Sequence, residues 1–314
     1  MSETTASARI LVLIVTYNGM TWIDRCLTAL RKSRHSASVL VIDNGSKDGT
    51  VERIRTAYPE VMLQVNEHNL GFGQANNLGF CYALEHVFDY VFMINQDVYV
   101  FPDTIDALLQ AATEADAAIF TPLQLNGDGS ELDRHFRDCV HYDICPGVLT
   151  DALCGRLQTS YQCVMTYAAA WFLPVSTLRT IGGFDPIFFH YGEDVHYVSR
   201  VLYHGLTMRI VPASKVCHDR IEAGNMQMYN YRKTLRSFRN SYLDLTRQRS
   251  WWRTFPHVRT WLTALQAFGR GNLKAPWETL GAYINIFWHR RELEANRAAN
   301  RQIGPNWLAT DKKI

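Results

Sequence analysis

The sequence predicts an α/β fold, a mostly parallel sheet flanked by helices and followed by a basic helical extension. Three observations predict it. Short β-branched runs alternate with helical periodicity from Arg9 to about Asn95, the pattern of a doubly covered parallel sheet. The runs stop at polar knots, Tyr17-Asn18, Asp43-Asn44 and Asn95-Gln96-Asp97. Charge is split along the chain: residues 1–228 hold 16 Lys+Arg against 25 Asp+Glu, and residues 229–314 hold 16 against 5.

The elements follow in order. Arg9 to Val15 reads as a buried parallel strand ending in the turn Thr16-Tyr17-Asn18-Gly19. Trp22 to Leu30 places Trp22, Ile23, Cys26, Leu27 and Leu30 on one helical face. Val39 to Ile42 is a second strand, closed by the turn-rich run Asp43 to Thr50. Val51 to Ala57 starts a helix and Val61 to Val65 a third strand. Asn69 to Asn77 reads as a Gly/Asn loop opening a helix over Leu78 to Glu85. Tyr90 to Ile94 is the strand that ends at Asp97, and Pro102-Asp103 signals the next helix.

In a parallel sheet the carboxyl ends of strands share one edge, where open α/β sheets bind ligands. Three polar strand ends with carboxylates or amides therefore point to a nucleotide pocket. Asp97 taken alone either caps a turn or supplies a hard oxygen ligand suited to Mg2+ or Mn2+. The Gly-rich run 69–77 is neither a G-x-x-x-x-G-K-[ST] phosphate loop nor a G-x-G-x-x-G after a first strand.

Further on, Leu123 to Met165 lacks clean periodicity; its scattered Arg134, His135, Arg137, His141 and Asp143 read as a solvated insertion. Tyr167 to Pro174 is apolar, and Trp171 within it is either core or a sugar-stacking ring. Gly182-Gly183 allows a tight turn before the aromatic run to Tyr191. Gly192-Glu193-Asp194 opens a helix that runs to Tyr203 and stops at His204-Gly205. Acids in a first helical turn are ordinarily favoured by the helix dipole. A strand follows from Ile210 through His218.

Val15-Thr16-Tyr17-Asn18, Val41 to Thr50, Asn69 to Asn77, Asn95-Gln96-Asp97 and Gly182 to Asp194 together resemble the successive signatures of family 2 glycosyltransferases, in order and over about 220 residues. Bacterial rhamnosyltransferase-like members are the nearest in kind. The resemblance implies a GT-A fold, with nucleotide-sugar binding over about 9–122 and an acceptor and catalytic part over about 123–228. Thr16 and Tyr17 would border the nucleobase, and Asp43 would accept a hydrogen bond from a pyrimidine ring N–H. The nucleotide set is completed by Asn18, Asn44, Gly71, Gln74, Asn76, Asn95 and Gln96.

By the same resemblance Asp97 is the metal-binding residue of a D-x-D-like motif whose first position here is Asn95, and His218 reaches the metal or diphosphate unless it is structural. Gln74 stands where many relatives carry Arg. Asp194 would be the general base, with Glu193 beside it. Trp171, His190 and Tyr191 are the candidate acceptor contacts.

The implied reaction is inverting, metal-dependent sugar transfer from a UDP- or dTDP-sugar, dTDP-L-rhamnose among them, to a polysaccharide or lipid-linked glycan. A non-catalytic sugar-nucleotide binder or scaffold on the same fold is the alternative. A nucleotidyltransferase would want a basic Gly-rich loop near the first strand, which is missing.

The tail, 229–314, carries six of the eight tryptophans. Tyr231, Leu235, Phe238, Tyr242 and Leu245 recur at spacings of four and three, the face of an amphipathic helix. Trp mixed with Arg suits an anionic membrane surface, or else a cap packed on the catalytic part. Nucleic-acid modules are not visible, so no nucleic-acid partner is expected. Oligomeric state stays open, a homo-oligomer included. Met1 to Arg9 lacks a leader pattern, and the seven cysteines lack paired spacing. A cytoplasmic protein, peripheral on the inner face of a membrane, is the expectation.

Overall fold

The computed structural model describes residues 8–220, 231–246, 258–269 and 272–308. The expectation of a missing leader, the boundary at 228/229, and Trp251 and Trp252 therefore lie wholly or partly outside the described residues.

The first half is a parallel Rossmann-like unit. β1 (Ile10–Thr16), α1 (Ile23–Arg31), β2 (Ser38–Asp43), α2 (Thr50–Ala57), β3 (Met62–Val65), α3 (Phe72–Glu85) and β4 (Tyr90–Asn95) follow one another with short connections. β5 (Val98–Val100), α4 (Thr104–Glu114) and β6 (Ile119–Asn126) come next. After the short helices α5 (Phe136–Cys139) and α6 (Val148–Leu153) come β7 (Tyr161–Cys163), β8 (Ala170–Pro174), α7 (Val175–Thr180), α8 (Glu193–Tyr203) and β9 (Met208–His218). The described part of the tail holds α9 (Tyr231–Leu243), α10 (Val258–Gly269), α11 (Ala275–Trp288) and α12 (Arg290–Asn300).

The strands form one sheet in the order β3-β2-β1-β4-β8-β6-β9-β5, with β7 also on β9. The nucleotide half, β3-β2-β1-β4, is parallel as expected. Beyond β4 the sheet is mixed, because β8 runs antiparallel to β4 and β6, while β6 and β9 run parallel. Alternation along each strand gives the sheet two apolar faces. Leu11, Leu13, Met93 and Trp171 bury against α3 residues and Phe184 on one side. Ile10, Val12, Ile14 and Phe92 bury against Ile23, Leu27 and Leu108 on the other.

Two expectations need correction. α3 begins at Phe72, so most of the run read as a loop lies inside the helix. The segment 123–165 is not simply a solvated insertion. Leu123 to Asn126 extends β6 alongside β9. Phe136, Cys139, Cys145, Val148 and Cys163 enter the main core. Their irregular spacing hid this, because each short element contributes only one or two buried residues.

The tail helices pack on the catalytic part as a cap. Phe188 joins Phe238, Tyr242, Ala282, Ile286 and Leu293 in a small separate core. Asp185, buried in the Gly-Gly-Phe-Asp turn, accepts hydrogen bonds from Asn296 and Asn300 of α12, both at 2.8 Å.

Candidate active site

The parallel register fixes the floor of a cleft. Thr16 at the end of β1 stands beside Asp43 at the end of β2, and Val15 beside Asn95 at the end of β4. Thr16 Oγ1 donates to Gln96 Oε1 at 2.6 Å, and the Tyr17 N–H donates to the same oxygen at 3.0 Å. The two loops are thereby joined one residue before Asp97. Asn18 is occupied on both sides by the next loop: its N–H reaches Ser46 Oγ and its Oδ1 receives the Lys47 N–H. Tyr17 itself is 46% exposed, a ring free to face a base.

Asp43 is fully buried. Its Oδ2 accepts the Gly45 and Ser46 N–H groups at 3.0 and 2.9 Å, while Oδ1 has no partner. A buried carboxylate oxygen without a donor is costly, so Asp43 Oδ1 stands out as an open acceptor. Asn44 has a different task. Its Nδ2 donates to the Gly71 carbonyl at 3.1 Å and its Oδ1 accepts from Asn66 at 3.0 Å. Both ends of the amide are spent on the chain's own loop. Asn76 likewise bonds the Phe72 carbonyl through Nδ2 but leaves Oδ1 buried and unpartnered. Gln74 is half-buried near the N-terminus of α3, where main-chain N–H groups favour an anion.

At the β4 edge, His218 Nε2 stands 3.4 Å from Asp97 Oδ1. On the other side of the ring, Asp133 Oδ2 lies 3.8 Å from Nδ1 and accepts Arg220 Nε at 2.9 Å. Arg220 and the His135 and Phe136 N–H groups hold the Asp133 carboxyl below its usual range despite burial. Sequence reading missed Asp133, which sits in the aperiodic segment with no local signal. Asn95 Oδ1 is also buried without a partner. A carboxylate oxygen and an imidazole nitrogen this close suit a divalent cation shared between them. Among the described residues no third His, Cys, Asp or Glu completes a cage.

The wall opposite is the 188–194 turn. Gly71, at φ +84°, lies under Phe189, whose carbonyl also accepts the Phe72 N–H at 3.2 Å. His190 and Tyr191 are exposed on the rim, and Arg236 of α9 lies 5.0 Å from the centre of the Tyr191 ring. Partial desolvation by the surrounding turn, then the nearby Arg236 charge, lowers the His190 pKa even though part of the ring is open to solvent.

Glu193 is 5% exposed, and burial with the neighbouring Asp194 charge pushes its pKa up to about 7. Burial also raises the Asp194 pKa, although the Val195 N–H donates to its Oδ1 at 2.8 Å. The Ala169 carbonyl accepts the Asn95 N–H at 2.9 Å. These contacts tie together the loops that carry Asp43 and Asp97, and tie the Asp43 loop to the turn ahead of Asp194.

Trp171 is outside the cleft. The ring is fully buried, stacked 6.2 Å from Phe184 and tilted 5.7 Å from Tyr197. An acceptor cannot reach it, because β8 turns this face into the core beneath α3. Asn77 and Asn300, by contrast, were not singled out by sequence. Asn77 brackets Phe184 through its N–H and its carbonyl at 2.7 and 2.8 Å. Asn300 touches Asp185 and accepts the Trp307 indole N–H at 2.7 Å.

Residues 11–163 match the family model for glycosyl transferase family 2. An N-acetylglucosaminyl-diphospho-decaprenol L-rhamnosyltransferase of Mycobacterium tuberculosis is 30% identical over 265 residues, covering 77% of this chain and 86% of that one. The chain belongs to glycosyltransferase family 2. As a family 2 member it is a rhamnosyltransferase-like enzyme of the GT-A fold that draws on a nucleotide-sugar donor.

A dTDP-rhamnosyl transferase of Shigella flexneri is 22% identical over 218 residues, covering 68% of this chain and 69% of the other. Among solved structures, Staphylococcus aureus TarS 1–349 in complex with UDP-GlcNAc superposes with a TM-score of 0.53 at 14% identity, covering 74% of this chain. This family 2 chain spans 64% of that TarS fragment. GalNAc-T7 with UDP, GalNAc and Mn2+ gives a TM-score of 0.54 at 16% identity, covering 75% and 50% of the two chains. These likenesses concern the fold.

Proposed function

We propose that this protein is an inverting glycosyltransferase that moves L-rhamnose from dTDP-L-rhamnose to a hydroxyl of a lipid-linked glycan at an anionic membrane surface. The contacts that tie the Asp43 and Asp97 loops to each other, and the Asp43 loop to the turn ahead of Asp194, support the reaction class. The donor and acceptor are drawn from relatives, one named for L-rhamnosyl transfer to a diphospho-decaprenol and one for dTDP-rhamnosyl transfer.

In this reading Asp43 Oδ1 accepts the ring N–H of a thymine or uracil, and Tyr17 covers the base. The N-terminus of α3 faces the diphosphate. Asp97 and His218 would hold Mg2+ or Mn2+, which would supply charge neutralisation to the departing diphosphate. Asp194 takes the proton of the acceptor hydroxyl as that oxygen attacks the anomeric carbon. A pKa raised by burial makes it a stronger base. Glu193, half protonated near neutrality, donates or accepts beside it. One base and no covalent intermediate give inversion at the anomeric carbon. His190 and Tyr191 on the open rim meet the acceptor.

The deciding experiment is Asp194→Asn. It retains nucleotide affinity and lowers turnover by about a hundredfold or more; unchanged turnover overturns the assignment and favours a binder without catalysis. Thermal stabilisation by dTDP-L-rhamnose above that by UDP-sugars checks the donor, and the anomeric configuration of the product, read by NMR, checks inversion.

A further inference from the structure

One surface of the cap has no role in the cleft. The exposed residues of α11 are Trp277, Leu280, Ile284, Phe287 and Trp288, all large and apolar. Their spacing of three and four puts them on one face. The neighbouring α10 packs alongside and adds Leu262, Leu265 and Phe268, again exposed and with no charged side chain among its described exposed positions. Isolated exposed apolar residues are ordinary, but two adjoining helices whose described exposed positions are mostly large, apolar and uncharged mark an interaction surface.

The occupant is written in the ends of the stripe. Trp277 is 74% exposed and Trp288 76% exposed, eleven residues apart on the helix. Lys274 precedes the first, and His289, Arg290 and Arg291 follow the second, all exposed, with Glu292 the exposed acid beside them. Indole rings at both ends with cations just beyond suit the headgroup zone of a bilayer, apolar side down and cations among lipid phosphates. Among the described residues no helix is long and apolar enough to cross a membrane. A helix of this length lies along the surface instead.

We infer that the paired outer faces of α10 and α11 form a docking surface for an anionic lipid bilayer, with Trp277 and Trp288 seated at headgroup level. This deepens the membrane reading above and rests on it. α11 packs on α9, and α9 meets the catalytic turn: a Cβ on Gly192 would come within 2.9 Å of Arg236 Cγ and Asn240 Nδ2. Docking through this face therefore tethers the catalytic part, through α9, to the surface where a lipid-borne acceptor resides.

The test uses the full chain and vesicle co-sedimentation, comparing phosphatidylglycerol/phosphatidylcholine with phosphatidylcholine alone. The double variant Leu280→Glu, Ile284→Glu lowers binding to anionic vesicles about tenfold or more, and Trp277→Ala with Trp288→Ala lowers it in the same direction. Lys274→Glu with Arg291→Glu lowers binding to the anionic vesicles selectively. Donor-induced thermal shift stays at the wild-type value in all three, because these side chains point away from the cleft. Wild-type protein that ignores both vesicles ends the membrane reading itself. Wild-type binding that the variants leave intact overturns only the assignment of this face. A dimer in light scattering that Leu280→Glu dissociates, with vesicle binding unchanged, gives the face to a second copy and likewise overturns it.

Discussion

Gly71 and Phe189 meet so closely that a Cβ on the glycine would lie 2.1 Å from the Phe189 carbonyl oxygen. Through this contact the N-terminus of the donor-side helix bears directly on the turn that carries Glu193 and Asp194. The backbone at Gly71 also has φ +84°, which favours glycine.

Gly71→Ala is expected to push the 188–192 turn outward. Stability falls by about 2 kcal/mol, read by urea unfolding. Turnover falls more than donor affinity does if, as proposed, the displaced element carries the base, Asp194, rather than the nucleotide contacts.

Asp43→Asn tests the unpartnered oxygen. The Gly45 and Ser46 N–H groups keep the remaining oxygen as their acceptor, so the amide nitrogen occupies the Oδ1 position. A donor then faces a nucleobase N–H. Donor affinity is expected to fall by about ten- to a hundredfold, measured by calorimetry, with little change in melting temperature.

Glu193 gives a pH signature. Its folded pKa, about 7, lies above its ordinary 4.5, so the folded state holds the proton more tightly. Stability from this group is present at low pH and is lost as pH rises from 4.5 to about 7. Glu193→Gln removes that loss. The unfolding free energy of the variant should gain on wild type by about 3 kcal/mol across this window and stay level above it, followed by urea titration at successive pH values.

The parallel half of this fold was legible because strand ends add up. Thr16, Asp43 and Asn95 each end a run of apolar residues, and parallel pairing leaves no choice but to gather them on one edge. Trp171 was ambiguous for a reason of the same kind: a strand buried on both faces has no polar alternation to say which way a ring points. Asp133 was invisible. Its importance comes from β6 and β9 running side by side, a pairing between residues some ninety positions apart, with nothing local to announce it. Asn44 also sits at a strand end, but that its amide bridges Gly71 and Asn66 has no local signal. The amphipathic face of the tail was plain from spacing, but not that Phe238 and Tyr242 would bury against Phe188.

Asp133→Ala should leave His218 and Arg220 without their shared carboxylate. A loss of stability of about 2 kcal/mol is expected, discounted because Arg220 is partly exposed. His218 loses the carboxylate that lies 3.8 Å from its Nδ1, so Mn2+ affinity, read by electron paramagnetic resonance without substrate turnover, should drop about tenfold or more. Wild-type Mn2+ affinity in the variant would show that Asp133 serves packing alone.

The Asn306 carbonyl receives the Gly183 N–H at 2.8 Å, and Asn300 holds Asp185. The turn ahead of Asp194 thus takes its partners from residues about 115 positions further along the chain. Truncation before Asn300 should therefore yield a protein that still grips donor and transfers nothing.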